Sequence, residues 1–258
     1  MADKSQPPIS ETLEKGLRIL DLFDRYHQGL RLTDIYQAVG LNKTTTYRFV
    51  NTYCRLGYLR RDPATKLFHL GPRSNALAYN VLQNSDLVEA VAPVVDKAHR
   101  RLELHIDVGL LHDDAIFVIY RCVSVDTPSF RHFISSRGLH FLATGKAVLA
   151  FLPPKERDRL IQGIDFEQKT EKTIASRQEL LADLERTARR GYSLNNEEFV
   201  PGLIAIGAPV IHPVSSRVVG AVSFDSVTTR YSMTSFEAGF AREVVELGKE
   251  VAAVLPEF

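Results

Sequence analysis

Apolar positions along the chain keep a helical period at first, switch to a period of two, and then alternate between the two in blocks. From Ser10, a plausible cap, to about Tyr26, Leu13, Leu17, Leu20 and Phe23 recur along one stripe and predict an amphipathic helix. Ile35, Ala38 and Val39 predict a short second helix opening at Thr33 and ended by Gly40. Leu41 fills the gap that follows. Asn42 is placed to accept from the free amides of a third helix, which runs to about Leu56 with Thr46, Phe49, Val50, Tyr53 and Leu56 turned inward. The period then shortens: Tyr58 to Arg61 and Lys66 to Leu70 read as strands joined by the turn-prone Asp62-Pro63-Ala64-Thr65.

A helix is expected again from Pro72, with Leu77, Val81 and Leu82 apolar, up to a polar break at Asn84-Ser85. Another runs from Asp86 to about Arg101, with Val88, Val91, Val95 and Ala98 on one face and Pro93 either tolerated or kinking it. From His105 the pattern is that of strands: HIDVGLLHD and AIFVIYRCV form a hairpin about Asp113-Asp114, and SFRHFI is a third strand. Helical patterns cover Leu142 to Leu152, Lys155 to Gln162, and Ser176 to Arg190 with Leu180, Leu184 and Ala188. Strands follow at Tyr192 to Leu194, Leu203 to Ile211 and Val218 to Phe224, and a last helix spans Thr234 to Val254. This order predicts an α+β chain whose second part is an antiparallel sheet flanked by helices. Residues 1 to 9 are expected to be disordered, and no internal repeat or low-complexity segment occurs.

The whole-chain charge of +1 conceals an asymmetry. Residues 1 to 84 carry 12 Lys and Arg against 7 Asp and Glu, whereas the remainder carries 20 against 24. The amino-terminal third is therefore the part suited to a polyanion. Within it, the outer face of the third helix presents Lys43, Thr44, Thr45, Tyr47, Arg48 and Asn51, all donors and none an acid, whereas an ordinary solvated face mixes both signs. Helix, tight turn and polar-faced helix is a geometry that lays the last helix in a DNA major groove. On that spacing alone an ordinary two-helix corner fits equally well. The balance shifts with the hairpin that follows, because Arg60, Arg61 and Lys66 gather near its tip as in a winged helix-turn-helix.

The runs LEKGLRILDLFD and LRLTDIYQAVGLNKTTTYRFVNTYCRLGYLRRDPATKLFHLGPR closely resemble the amino-terminal domain of the IclR family of bacterial transcription regulators. LHFLATGKAVLAFLP and GYSLNNEEFVPGLIAIGAPV resemble its ligand-sensing domain, so the likeness covers roughly Glu11 to Leu255. It implies a winged helix-turn-helix domain over residues 1–70, a linker helix over 71–85 that helps to pair two chains, and a GAF-like effector-binding domain over 86–258. The implied partners are double-stranded operator DNA, a small organic acid effector and further copies of the chain, as homodimer or homotetramer.

The entry to the predicted helix at Leu142 lacks a side-chain cap, so its first amides need a partner. A small carboxylate suits them, as does a neighbouring loop or water. Ala143, Gly145 and Ala147 are small enough for close approach, His140 stands just before, and Thr144 adds a hydroxyl. A phosphate loop fits poorly, since His140 and Ala147 occupy positions that need Gly and Ser or Thr. The resemblance implies that Ala143 and Thr144 give backbone donors to an organic acid, with a second contact region from Gly191 to Ala205. There the family's frequent acid is Asn195, and its common Arg-Cys pair is Ile204-Ala205. The loss of charge and thiol points to a larger, more apolar carboxylate, for instance an aromatic acid, though Ile204 and Ala205 equally suit simple strand packing.

Two cysteines, Cys54 and Cys122, make a disulfide framework improbable and a reducing, cytoplasmic setting natural; neither a signal peptide nor a membrane-spanning run is expected. No cofactor is implied. His99, His105 and His112 do not have zinc-site spacing, and a structural metal in the sensor is left open. The competing classes are a small-molecule-processing enzyme with an appended helical dimerisation domain, and a pure dimerisation module. His140 beside Cys122 or Ser135-Ser136 lacks both an orienting carboxylate and a nucleophile motif, so no catalytic residue is assigned.

Overall fold

The computed structural model describes residues 9–25, 29–83, 85–124 and 135–256. The first eight residues, Tyr26, Asn84 and the strand expected over 129–134 lie outside them, as do the side chains of Val81 and Leu82. The chain divides into two compact units, Met1–Asn84 and Ser85–Phe258.

In the first unit, α1 (Glu11–Arg25), α2 (Leu32–Val39) and α3 (Lys43–Leu56) surround Ile19, Phe23, Leu30, Ile35 and Val50, closed by Leu59 and Phe68 of a small hairpin. The α1 stripe is not the expected one. Leu13 and Leu17 are 60% and 50% exposed, and the buried line runs through Gly16, Ile19 and Phe23. A Cβ at Gly16 would lie 2.8 Å from the Tyr53 hydroxyl, so α1 meets α3 at its smallest residue, which a search for apolar side chains passes over. α2 begins at Leu32 rather than Thr33, because Arg31 occupies the capping position and its amide donates to Asp34 at 2.9 Å. Its inward line is Leu32, Ile35, Tyr36 and Val39, which leaves Ala38 exposed. In α3, Leu56 is exposed and Cys54, four residues beyond Val50, packs against the core instead.

Gly40 and Gly57 end α2 and α3 in the left-handed conformation, at φ of 67° and 82°, where a side chain would be strained. Strands β1 (Leu59–Arg61) and β2 (Phe68–Leu70) pair antiparallel, with Arg60 opposite His69. Leu30 adds a bridge to Phe68. Helix α4 (Pro72–Gln83) closes the unit, and Leu77 on it is 56% exposed.

In the second unit, α5 (Asp86–Leu102) continues through Pro93 and buries Val91, Val95 and Ala98. It leads to β3 (His105–His112) and β4 (Ala115–Cys122), a hairpin whose turn holds Asp113 at φ 53°. After β5 (Ser135–Ser136) come α6 (Ala143–Phe151), α7 (Pro154–Gln162) and α8 (Arg177–Arg190), then β6 (Ser193–Asn196), β7 (Leu203–Ile211), β8 (Val218–Val227) and α9 (Met233–Val254). In α8 the inward position near the end is Thr187, fully buried, and Ala188 is exposed. The sheet is antiparallel throughout, in the order β5-β4-β3-β8-β7-β6.

Strand alternation gives this sheet two unlike faces. Ile106, Val108, Ile204, Ile206, Val222 and Phe224 bury one face in a core completed by α5 and α9. The other lies under the helices that follow β5, where Ala147, Val148, Leu149, Leu160, Leu180 and Leu184 form a second core. The first face is almost wholly apolar. The second is the one that carries chemistry.

Candidate functional site

The first unit carries the surface that its sequence pattern marks for nucleic acid. The Asn42 side chain accepts from the Thr45 amide at 2.8 Å and fixes the start of α3. From there Lys43, Thr44, Tyr47, Arg48 and Asn51 are exposed, Thr45 is half-buried, and Thr46 and Val50 face the core. In the hairpin turn, one Asp62 oxygen accepts from the amides of Ala64 and Thr65, both at 2.8 Å. Those bonds hold the Asp62 carboxyl below its ordinary range, so the turn keeps its shape at neutral pH. Lys66 sits at φ 62° with its Nζ on the Pro63 carbonyl at 2.6 Å. Arg61 lies over the Phe68 ring, 5.4 Å from its centre, whereas Arg60 points from the opposite side of the strand and is exposed. The basic tip therefore contains one arginine tied to the fold and one held out from it.

In the second unit the start of α6 is clamped onto the sheet. Leu142 stands at its capping position without a side-chain cap. Asn195 donates to the Phe141 carbonyl at 2.6 Å and accepts from the Glu198 amide at 3.0 Å. Ser193 donates to the Ala143 carbonyl at 2.5 Å. A Cβ on Gly145 would come within 2.5 Å of the Leu139 backbone, and one on Gly207 within 2.8 Å of Ala143. The small residues here thus let helix, loop and strand approach one another. Lys146, only 1% exposed, reaches Glu198 at 2.7 and 2.8 Å and Asp183 at 3.2 Å. Burial raises the Glu198 carboxyl above its ordinary range, a shift that Lys146 opposes.

His140 is buried between Phe141 and Phe166, with Nε2 3.2 Å from the Glu167 carbonyl. Burial lowers its pKa. Thr144, in the first turn of α6, is buried too, and Phe141 stacks on Phe199 at 5.2 Å. Ala205 shares a cross-strand row with Asn195, on the face turned to α6. Ile204 points the other way, into the core of α5 and α9.

Two rows of polar side chains cross this face of the sheet. One runs Asn195, Ala205, Asp225, His105, and the next runs Ser193, Gly207, Ser223, Asp107, Arg121. Arg121 grips Asp107 through two bonds of 2.6 Å. His105 Nε2 lies 3.1 Å from Asp107 and 4.0 Å from Asp225. Burial opposes ionisation of Asp107, but Arg121 and His105 more than offset it and hold the carboxyl below its ordinary range. Burial pushes Asp225 up to about 6.

None of these rows is evident from composition, because β3 and β8 are far apart in the chain. A usable signal was present in His105-Ile106-Asp107-Val108: polar and apolar residues alternate in a strand covered on both faces, so a charged pair must face inward. The charge on this face is thus carried by β3, β4 and β8 rather than by β6 and β7. His99 instead meets the Leu104 carbonyl and His112 is exposed, so these two do not join His105. Cys122 donates to Asp96 at 3.2 Å, and burial pushes its thiol up to about 12, which keeps it protonated and poorly nucleophilic.

A sequence model of the IclR helix-turn-helix domain matches residues 12–63, and one described as the bacterial transcriptional regulator IclR C-terminal region matches residues 79–253. The chain belongs to the IclR family. Among its IclR relatives, the HTH-type transcriptional regulator XynR of Escherichia coli strain K12 is 26% identical, over 96% of this chain and 98% of its own. The IclR family transcriptional regulator from Brucella abortus has a similar structure, with a TM-score of 0.78 at 20% identity, covering 99% of this chain and 97% of that one. An IclR homolog from Microbacterium hydrocarbonoxydans, solved with 4-hydroxybenzoate, gives 0.66 at 19%, over 94% and 96%. The IclR architecture accounts for both units: a helix-turn-helix domain for DNA and an α/β ligand-binding domain. Among the described residues, no helix is long and apolar enough to cross a membrane.

Proposed function

We propose that the chain is a homo-oligomeric regulator of a catabolic operon, with no catalytic activity of its own, which reads operator DNA through α3 and senses a small organic acid at the α6 start. Lys43, Thr44, Thr45, Tyr47, Arg48 and Asn51 face the major groove, and Arg60, Arg61 and Lys66 contact phosphate. The observation that carries this reading is the exposed, carboxylate-free outer surface of α3. The acid takes its donors from the Ala143 and Thr144 amides, beside His140, Gly145 and the strip of Asn195 and Ala205; Ile204, expected with them from the sequence, lies on the opposite sheet face and takes no part. An aromatic acid is the first choice: Phe141, Phe166 and Phe199 gather at this point, and a relative of the same fold is solved with 4-hydroxybenzoate. To act as a signal, the acid must bind the DNA-competent and incompetent states with different affinity.

The test is the affinity of the full chain for its own promoter fragment against competitor DNA at several salt concentrations, with and without aromatic carboxylates. Preferential binding that an acid alters, with the acid recovered unchanged, is the expected result. Equal affinity for promoter and competitor overturns the regulator reading, and consumption of the acid overturns the non-enzymatic one.

A further inference from the structure

The polar rows on the inner sheet face hold three metal-ligating side chains that the reading of α6 does not use. His105 and Asp107 lie two apart on β3 and so project from the same face; Asp225 stands directly opposite His105 on β8. The three donor atoms lie within 4.8 Å of one another. The separations from His105 Nε2, 3.1 Å to Asp107 Oδ1 and 4.0 Å to Asp225 Oδ2, bracket the edge of about 3.4 Å that tetrahedral donors about 2.1 Å from one shared ion would set, so Asp225 needs only a small shift inward.

We infer that His105, Asp107 and Asp225 bind a first-row divalent cation of the Mn²⁺ to Zn²⁺ series. The hydrogen bonding of the two carboxylates supports this. Arg121 holds Asp107 through two bonds of 2.6 Å, and Asp225 has no such bidentate partner among the described residues. Asp225 Oδ1 is fully enclosed and finds no hydrogen-bond partner among the described residues. An ionised oxygen in that position needs a counter-charge. One imidazole and two carboxylates favour a borderline metal over Mg²⁺ or Ca²⁺, which prefer oxygen alone. Arg121 then serves as the outer partner that orients Asp107, as such partners commonly do for ligating carboxylates. Water or another oxygen donor would complete the shell. The inference stands without any acid effector.

The experiment is titration of the tag-free full chain with Co²⁺, in the absence of DNA and organic acids, followed by visible absorption. X-ray absorption of the Zn²⁺-loaded protein identifies the donors. The expected result is one equivalent per chain, a d–d band of low coordination number, and a first shell of one imidazole with oxygens and no sulfur. Asp225→Asn, which keeps the shape, should weaken Co²⁺ binding at least tenfold, while His112→Ala, at an exposed histidine, should leave it unchanged. Uptake below one equivalent, a shell lacking imidazole, or undiminished affinity in Asp225→Asn overturns the proposal. Should Asp225→Asn fail to fold, the stoichiometry and ligand shell of the wild-type protein decide it.

Discussion

On the proposed reading, single side chains divide the exposed face of α3 and the wing into those that read sequence and those that grip the DNA backbone. Arg48 is exposed in the first half of α3, where the proposed docking would bring a guanidinium to base edges. Arg48→Ala is expected to weaken the operator complex by about 1–3 kcal/mol more than the complex with random DNA, measured by competition binding. Equal losses would make it a phosphate contact. Arg60 stands free at the wing, so Arg60→Ala should lower the slope of log affinity against log salt by about 1. Arg61 also braces Phe68, and its replacement should disturb the wing as well as remove charge. At this scale the sequence was partly legible. Asn42 and Gly40 act locally, and each performs the role its position suggested. His105, Asp107 and Asp225 were illegible as a group, because their proximity depends on the register of β3 against β8.

Elements are set by how closely they approach one another, and glycines fix that distance at α1 and α6. Gly145→Ala should destabilise the second unit by about 1–3 kcal/mol in urea unfolding, since the new methyl meets the Leu139 backbone. The same packing explains why α1 was misread: the apolar pattern favoured Leu13 and Leu17, whereas the contact with α3 requires the bare backbone at Gly16. The α6 entry gives a pH prediction. Burial lowers the His140 pKa, so the unfolded chain takes up the proton first as pH falls below about 6.5, and folded stability declines in that window. His140→Phe should flatten that decline when unfolding free energies are compared between pH 7.5 and pH 5.5. Parallel curves would assign the acid limb to another group.

For the whole molecule, the division into two units with separate cores suggests that each folds on its own. A fragment of residues 85–258 should melt cooperatively and keep the secondary structure of the sensor; a molten fragment would show that its core depends on the first unit. The unequal charge of the two parts was readable from the sequence and survives as an exposed basic α3 and wing. Hairpins and the antiparallel character of the sheet were legible too, because turn residues act over short range. Strand order was not, since nothing local tells β8 to enter between β3 and β7.

That late insertion has a consequence for how the protein comes into being. With β8 missing, the β3-β4 and β6-β7 hairpins have no common neighbour, and neither cross-sheet row is continuous. A ribosome must therefore deliver the chain through β8 before the sheet face beneath α6 is complete. Until then the emerging chain lacks the face proposed to meet its signal, even though its helix-turn-helix unit has already been made.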